Sequence, residues 1–180
     1  MIKTKTDLKN CIKKDKSVYF RKSEYPELLL TGDVRLKIYK FVKLLRYTEY
    51  HHNKFGFVHK VMYALYRRRK NKLGIRLGIE IWDNTFDEGL HIYHAGNIVI
   101  NGNSNIGKNC RLHGDNCIGN TGKSEDSPMI GDNVDIGVGA KIIGKVTIAD
   151  NITIAAGAVV VNSFEEKGIT IGGVPARKLK

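Results

Sequence analysis

The sequence predicts a mainly β protein, a left-handed parallel β-helix behind an amino-terminal helical segment, and three observations predict it. In the second half of the 180-residue chain an aliphatic residue returns every sixth position, at Ile100, Ile106, Leu112 and Ile118 and again at Ile130, Ile136, Ile142, Ile148, Ile154 and Val160. A small residue follows many of these, as in Ile106-Gly107, Ile136-Gly137 and Ile154-Ala155. Composition also changes near Gly74 to Gly78: 15 of 19 glycines lie after Gly78, and 7 of 8 tyrosines lie before it. A period of six is neither helical nor a plain strand alternation. It fits a short strand and a sharp turn repeated around a triangular coil.

Residues 1–78 form the first segment. They hold 21 Lys and Arg against 6 Asp and Glu, a charge of +15, whereas residues 79–180 hold 9 against 12, or −3, so the formal +12 of the chain belongs to one part. Two helices are expected here, over 33–51 and 56–72. Asp33 would cap the first, Val34, Ile38, Phe41 and Leu45 keep helical spacing, and Gly56 and Gly74 bracket the second. Three readings of the basicity stay open: a helical cap that buries Tyr and Leu against the first coils, attraction to an anionic membrane surface, or attraction to an acidic substrate or cofactor phosphate. No recognised nucleic-acid motif accompanies the charge, so nucleic acid is not an expected partner.

Residues 79–180 form the second segment. At about 18 residues per coil, Ile79 to Val161 makes four to five coils stacked about 4.8 Å apart. The aliphatic ladder is then the core, so a charge at Ile136 or Ile148 should unfold it. Asn120 to Met129, reading Asn-Thr-Gly-Lys-Ser-Glu-Asp-Ser-Pro-Met, breaks the phase and is a loop thrown out from one corner. Loops on a rigid scaffold are where function concentrates. Cys11, Cys110 and Cys117 fit no metal-ligand spacing and read as reduced thiols. The first residues lack a signal-peptide stretch and no run approaches a membrane span. A cytoplasmic protein is expected, with peripheral attachment at the inner membrane face as the variant that the basic segment allows.

Several motifs then occur in a familiar order: Asn84-Thr85-Phe86, Tyr93-His94-Ala95-Gly96-Asn97-Ile98, Thr121-Gly122-Lys123, Ile136-Gly137-Val138-Gly139-Ala140-Lys141, and Gly173-Val174-Pro175-Ala176-Arg177. From about Leu77 to Lys180 the sequence resembles the hexapeptide-repeat acyltransferases, and among them the serine acetyltransferase-like branch. That resemblance implies homotrimers with active sites between neighbouring prisms, and acetyl-CoA as cosubstrate. His94 would be the general base that deprotonates an acceptor hydroxyl, a step for which an imidazole titrating near neutrality is suited. A carboxylate would orient it, with Glu80 and Asp83 both candidates. The pantetheine arm would lie on Gly119, Val138, Gly139 and Ala156, with Thr121, Gly122 and Lys123 at the same cleft, and Arg177, Lys178 and Lys180 would meet the nucleotide phosphates. His113, nineteen residues beyond His94, would contact acceptor or cofactor from the next coil. His91 reads as structural, and no metal is expected, because the histidines show no three-ligand pattern.

The sequence departs from serine acetyltransferases in the loop. Where they carry Arg-His-Pro to hold the amino-acid acceptor, this chain has Asp126-Ser127-Pro128, so a serine carboxylate would meet an acid. Tyr93 stands where an acid is common. These departures favour a carbohydrate hydroxyl, such as one of a capsule or exopolysaccharide precursor, with Tyr93 against the sugar and Asp126 in the acceptor site; serine O-acetylation is the alternative, and a non-enzymatic β-helical scaffold stands behind both.

Overall fold

The computed structural model describes residues 1–21 and 23–179. Four helices build the basic segment: α1 (Lys5–Tyr19), α2 (Tyr25–Thr31), α3 (Val34–His52) and α4 (Phe57–Leu77). The two expected helices are α3 and α4, and Asp33 caps α3 by accepting from the Arg35 amide at 2.7 Å. Two were not anticipated. α1 is Lys-rich and opens on a capping box between Thr4 and Asp7, and α2 starts with a proline in its first turn. Gly74 does not end α4 but lies inside it, because a Cβ there would collide with the Ile79 carbonyl and approach the Phe41 ring. Gly78, in the left-handed region at φ 65°, is the actual stop.

The rest winds into five coils. The first holds β1 (Ile79–Ile81), a bridge at Phe86 and β2 (His91–Ile92); the second holds β3 (Ile98–Ile100), β4 (Asn105–Ile106) and β5 (Arg111–Leu112). The third holds β6 (Cys117–Gly119), β7 (Met129–Ile130) and β8 (Asp135–Ile136), and the fourth β9 (Lys141–Ile143), β10 (Thr147–Ile148) and β11 (Thr153–Ile154). The fifth holds β12 (Val159–Val160), a bridge at Phe164 and β13 (Thr170–Gly173), against which β14 (Ala176–Lys178) turns back antiparallel. Three parallel faces result. The first is β1-β3-β6-β9-β12, the second β4-β7-β10, and the third β2-β5-β8-β11-β13 with β14 at its edge. This is the expected left-handed parallel β-helix. The six-residue ladder is buried throughout, with Ile81, Phe86 and Ile92 at its first turn. Asn109, Asn133 and Asn151 stack at the corner between the second and third faces. All three adopt positive φ, and each amide meets the next at 2.9 and 3.0 Å.

A stacked coil leaves its outermost strand edge without partners, and here the helices supply them as side chains. The Arg46 guanidinium, buried in α3, donates to the Phe86 and Asp87 carbonyls at 2.7 Å each and pairs with Asp15 at 2.8 Å and Glu49 at 3.0 Å. Asp15 accepts from the Gly89 and Leu90 amides, Glu49 from the Asn84 amide, and the Tyr19 hydroxyl from the Ile92 amide at 2.9 Å. With two acids around one cation, burial raises the Glu49 carboxyl above its ordinary value against the pull of Arg46. Buried Lys70 donates to the Ile81 carbonyl and to Asp83, both at 2.8 Å. One core therefore runs from Tyr19, Ile38 and Phe41 into the ladder. Of the three readings of the basic segment, the cap is the one that the contacts display for Arg46 and Lys70.

Asp83 is corrected by the same contacts. Its carboxylate is buried between Lys70 and the Tyr63 hydroxyl, with His52 at 3.5 Å, and is unavailable to orient His94. A groove of about 430 Å³ opens beside it between α4 and the first coil, lined among others by Glu80, Trp82 and Asn97.

Candidate active site

His94 lies just after β2, on the corner where the third face passes to the first, and its side chain is exposed. Gly114 sits under it on the next coil, where a Cβ would come 3.4 Å from that of His94. The corner continues through Val138 and Gly139 to Ala156 and Gly157, whose backbones are tied by bonds from Gly139 to Gly114 and from Gly157 to Val138, at 2.9 and 2.8 Å. Buried Asn116 braces it, accepting from the Gly114 amide and donating to the Gly137 carbonyl. Below His94 the edge is therefore made of small residues and Val138, except for Asp115, whose exposed carboxylate pairs with Lys141 at 3.3 Å.

The third face flanks this edge, and its outward side chains form two columns. One runs His91, Arg111, Asp135 and Thr153; the other runs Tyr93, His113, Gly137, Ala155 and Gly172. The Tyr93 ring stacks on His113 at 4.4 Å and lies 4.1 Å from His91, so it is engaged by protein rings instead of standing free for a sugar. Trp82 is half-exposed, with the Arg67 guanidinium 5.4 Å from its centroid and Gly102 packed against it. His113 Nε2 meets Asp135 Oδ1 at 2.7 Å, while Arg111 holds the other oxygen at 3.0 Å. Among the described residues the imidazoles with a carboxylate within 4 Å are His113 and His52; His94 has none. Glu80 is exposed on β1, opposite Val99, and makes no bond to His94. His91, covered edge-on by Tyr19, is held down to about 4, chiefly by burial and then by its neighbours Arg111 and His113.

At the far end of the third face, Arg177 pairs in register with Gly172 and Lys178 with Ile171. Lys178 is bound by Glu166 at 2.7 Å. Four coil steps separate this end from His94, roughly 19 Å at strand spacing. Lys180 lies outside the described residues.

The remaining expected cofactor residues are elsewhere. Gly119 ends β6 at the corner between the first and second faces, and Thr121, Gly122 and Lys123 follow it there, exposed. Asp126, in the same loop, pairs with Lys145 at 3.4 Å, and Glu125 accepts from Asn103 at 2.6 Å. The width of the first face, about five residues or roughly 15 Å, lies between this corner and His94. One protomer thus gathers His94, Val138, Gly139 and Ala156 along one edge and the Thr121 to Asp126 loop along another.

Asp135, Arg111 and Ala155 were not singled out from sequence. The signal for Asp135 is its place 24 residues after Arg111, one coil of 18 residues plus an insertion of six, which sets it diagonally from His113. The six-residue insertion hides that one-coil relation until it is subtracted.

Chemically, the edge offers an imidazole open to solvent, a corner of small residues and Asp115 beneath it, and at its foot Arg177 and the Glu166-paired Lys178. No group of three or more His, Cys, Asp or Glu residues arranged for a metal occurs among the described residues. Burial pushes the Cys11 thiol up to about 12, and Cys110 rises for the same reason, so neither is a ready nucleophile.

No protein-family model matches the chain. It is 34% identical over 133 residues to a serine acetyltransferase of Staphylococcus xylosus, a match covering 68% of this chain and 61% of the relative. It is 29% identical over 130 residues to a serine acetyltransferase of Synechococcus elongatus, covering 66% of this chain and 53% of the relative. The chain thus spans about half to three-fifths of the length of the curated relatives it matches. Among solved structures, the serine acetyltransferase of Neisseria gonorrhoeae superposes with a TM-score of 0.76 at 29% identity, over 98% of this chain and 68% of that one. The same enzyme in complex with serine gives 0.73 at 27%, over 98% and 70%.

Proposed function

We propose that this left-handed β-helix, similar to serine acetyltransferases in sequence and in fold, is an acetyl-CoA-dependent O-acetyltransferase of that type, with His94 as its general base. The observation that carries the reading is the edge below His94: an exposed imidazole above a corner of Asp115, Val138, Gly139 and Ala156 that ends at Arg177 and the Glu166-paired Lys178. The acyl-thioester arm would extend down this edge, with its phosphates toward the cations.

In the reaction, His94 accepts the proton of the acceptor hydroxyl as the oxygen attacks the thioester carbonyl carbon. The C–O bond forms, the C–S bond breaks, and the imidazolium returns its proton to the departing thiolate. Positioned proton transfer of this kind contributes about 10²–10⁴ in rate. His113, held by Asp135, would contact the acceptor from the adjoining face. Glu80 is the remaining candidate to orient His94 once the acceptor is bound. Gly119, Thr121, Gly122 and Lys123 would reach that edge from a neighbouring protomer, so the reading includes a homotrimer whose sites lie between subunits.

A carbohydrate hydroxyl is the second reading. Asp126 favours it, because its carboxylate, with Lys145 as its partner, stands where serine acetyltransferases present cations. The rings of His91 and His113 packed on Tyr93 weigh against it. Thiol release from acetyl-CoA by the purified chain, with L-serine and with a panel of glycans, separates the two. Serine turnover at millimolar concentration is expected; turnover confined to glycans would transfer the assignment, and none with any acceptor would overturn both. His94→Asn should lower turnover by about 10²–10⁴ at unchanged thermal stability. Near-normal rates would remove His94 from its role.

A further inference from the structure

We propose that the outward face of α4 is a docking surface for an anionic lipid bilayer. At 100° per residue, Phe57, Val58, Val61, Leu65, Arg68, Arg69, Lys72, Ile75 and Arg76 fall within an arc of about 120°. That face divides along its length into an apolar end and a cationic end. The apolar end is bare: Phe57 is 81% exposed, Val58 69%, Val61 42% and Leu65 45%, and Phe55, just before the helix, is 98% exposed. The opposite face is already used, since Lys70, Gly74 and Leu77 are buried against α3 and the first coil. These side chains are therefore not waiting for this protein's own core.

Charge selects the occupant. Arg46 and Lys70 are consumed by the cap, but Arg68, Arg69, Lys72 and Arg76 have no carboxylate within 4 Å among the described residues. A second copy docking face to face would double this uncompensated charge, whereas anionic headgroups neutralise it. A hydrated polyanion would satisfy the arginines and leave Phe55, Phe57, Val58 and Val61 in water. A bilayer surface provides both phases at once, headgroup charge for one end of the helix and the acyl boundary for the other. No helix of the described residues is long and apolar enough to cross a membrane, so the contact is one of lying on the surface. The inference is independent of which acceptor the active site takes.

Flotation of the full chain with phosphatidylcholine vesicles, with and without added phosphatidylglycerol, tests it. Binding should require phosphatidylglycerol and should weaken by about tenfold or more as salt shortens the screening length. R68E combined with R69E should abolish it, and F57S combined with V61S should weaken it by about tenfold or more. Thermal melting and thiol release by each variant show that fold and active site are intact. Equal binding to both vesicle types, no binding at low salt, or variants that float like the parent would overturn the proposal. So would a phosphatidylglycerol-independent dimer that the F57S/V61S pair dissociates. Displacement of the protein from vesicles by soluble glycerophosphoglycerol would assign the site to a free headgroup instead of a bilayer, and so overturn it too.

Discussion

His91 and His94 stand three residues apart in opposite surroundings. His94 is exposed at a corner, while His91 is packed under Tyr19 and beside Tyr93, and burial holds it down to about 4. In the unfolded chain an imidazole takes up its proton near 6.5. Between those two values the unfolded state binds the additional proton, so stability falls as pH drops from about 6.5 toward 4. Because His91 is only half-buried, the loss is discounted to at most about 2 kcal/mol. Melting temperatures measured at pH 7 and pH 4.5 should diverge, and His91→Gln should narrow the gap; an unchanged gap would mean that another group governs the acid limb. His94 was singled out in the sequence by its flanking motif. The carboxylate beside His113 was not, since Asp135 lies a coil and an insertion away, and Asp83 was misassigned because nothing local reveals that Lys70 claims it.

α1 and α3 act on the β-helix as a lid whose polar groups complete the first coil. Asp15 alone links the Arg46 guanidinium to the Gly89 and Leu90 amides. Removing Asp15 leaves the Gly89 and Leu90 amides without partners and Arg46 with Glu49 as its one remaining counter-charge, which costs about 2–4 kcal/mol. Asp15→Ala should lower the urea midpoint by that equivalent, and the loss should far exceed that of an exposed control such as Lys13→Ala. A midpoint within about 0.5 kcal/mol of the parent would show that the lid is dispensable. This element was the least legible from sequence. Of the four buried positions of α1, Leu8, Cys11, Asp15 and Tyr19, one is a charged group, and five lysines surround them, so the helical spacing carries little apolar signal.

At the scale of the whole molecule, the division of the expected cofactor residues between two corners makes a prediction about assembly. If each site takes His94 from one protomer and the Thr121 to Lys123 loop from the next, His94→Asn and Lys123→Glu disable complementary halves. Co-assembled variants should regain about a quarter of the parental sites at limiting acetyl-CoA, as random mixing of a cyclic trimer gives. Sedimentation should report a trimer. No recovery in demonstrably mixed assemblies would place both corners' roles within single protomers. The sequence by itself determined the solenoid, its inward ladder and its left-handed corners, because a strand-and-turn repeat is written in neighbours six residues apart. Only the tertiary structure decided which carboxylate meets which imidazole and which cations are spent on the cap. Those pairings join Asp15 to Gly89 and Lys70 to Asp83 across segments with different periods, and the insertion at Asn120 to Met129 shifts the register between coils, so no local spacing encodes them.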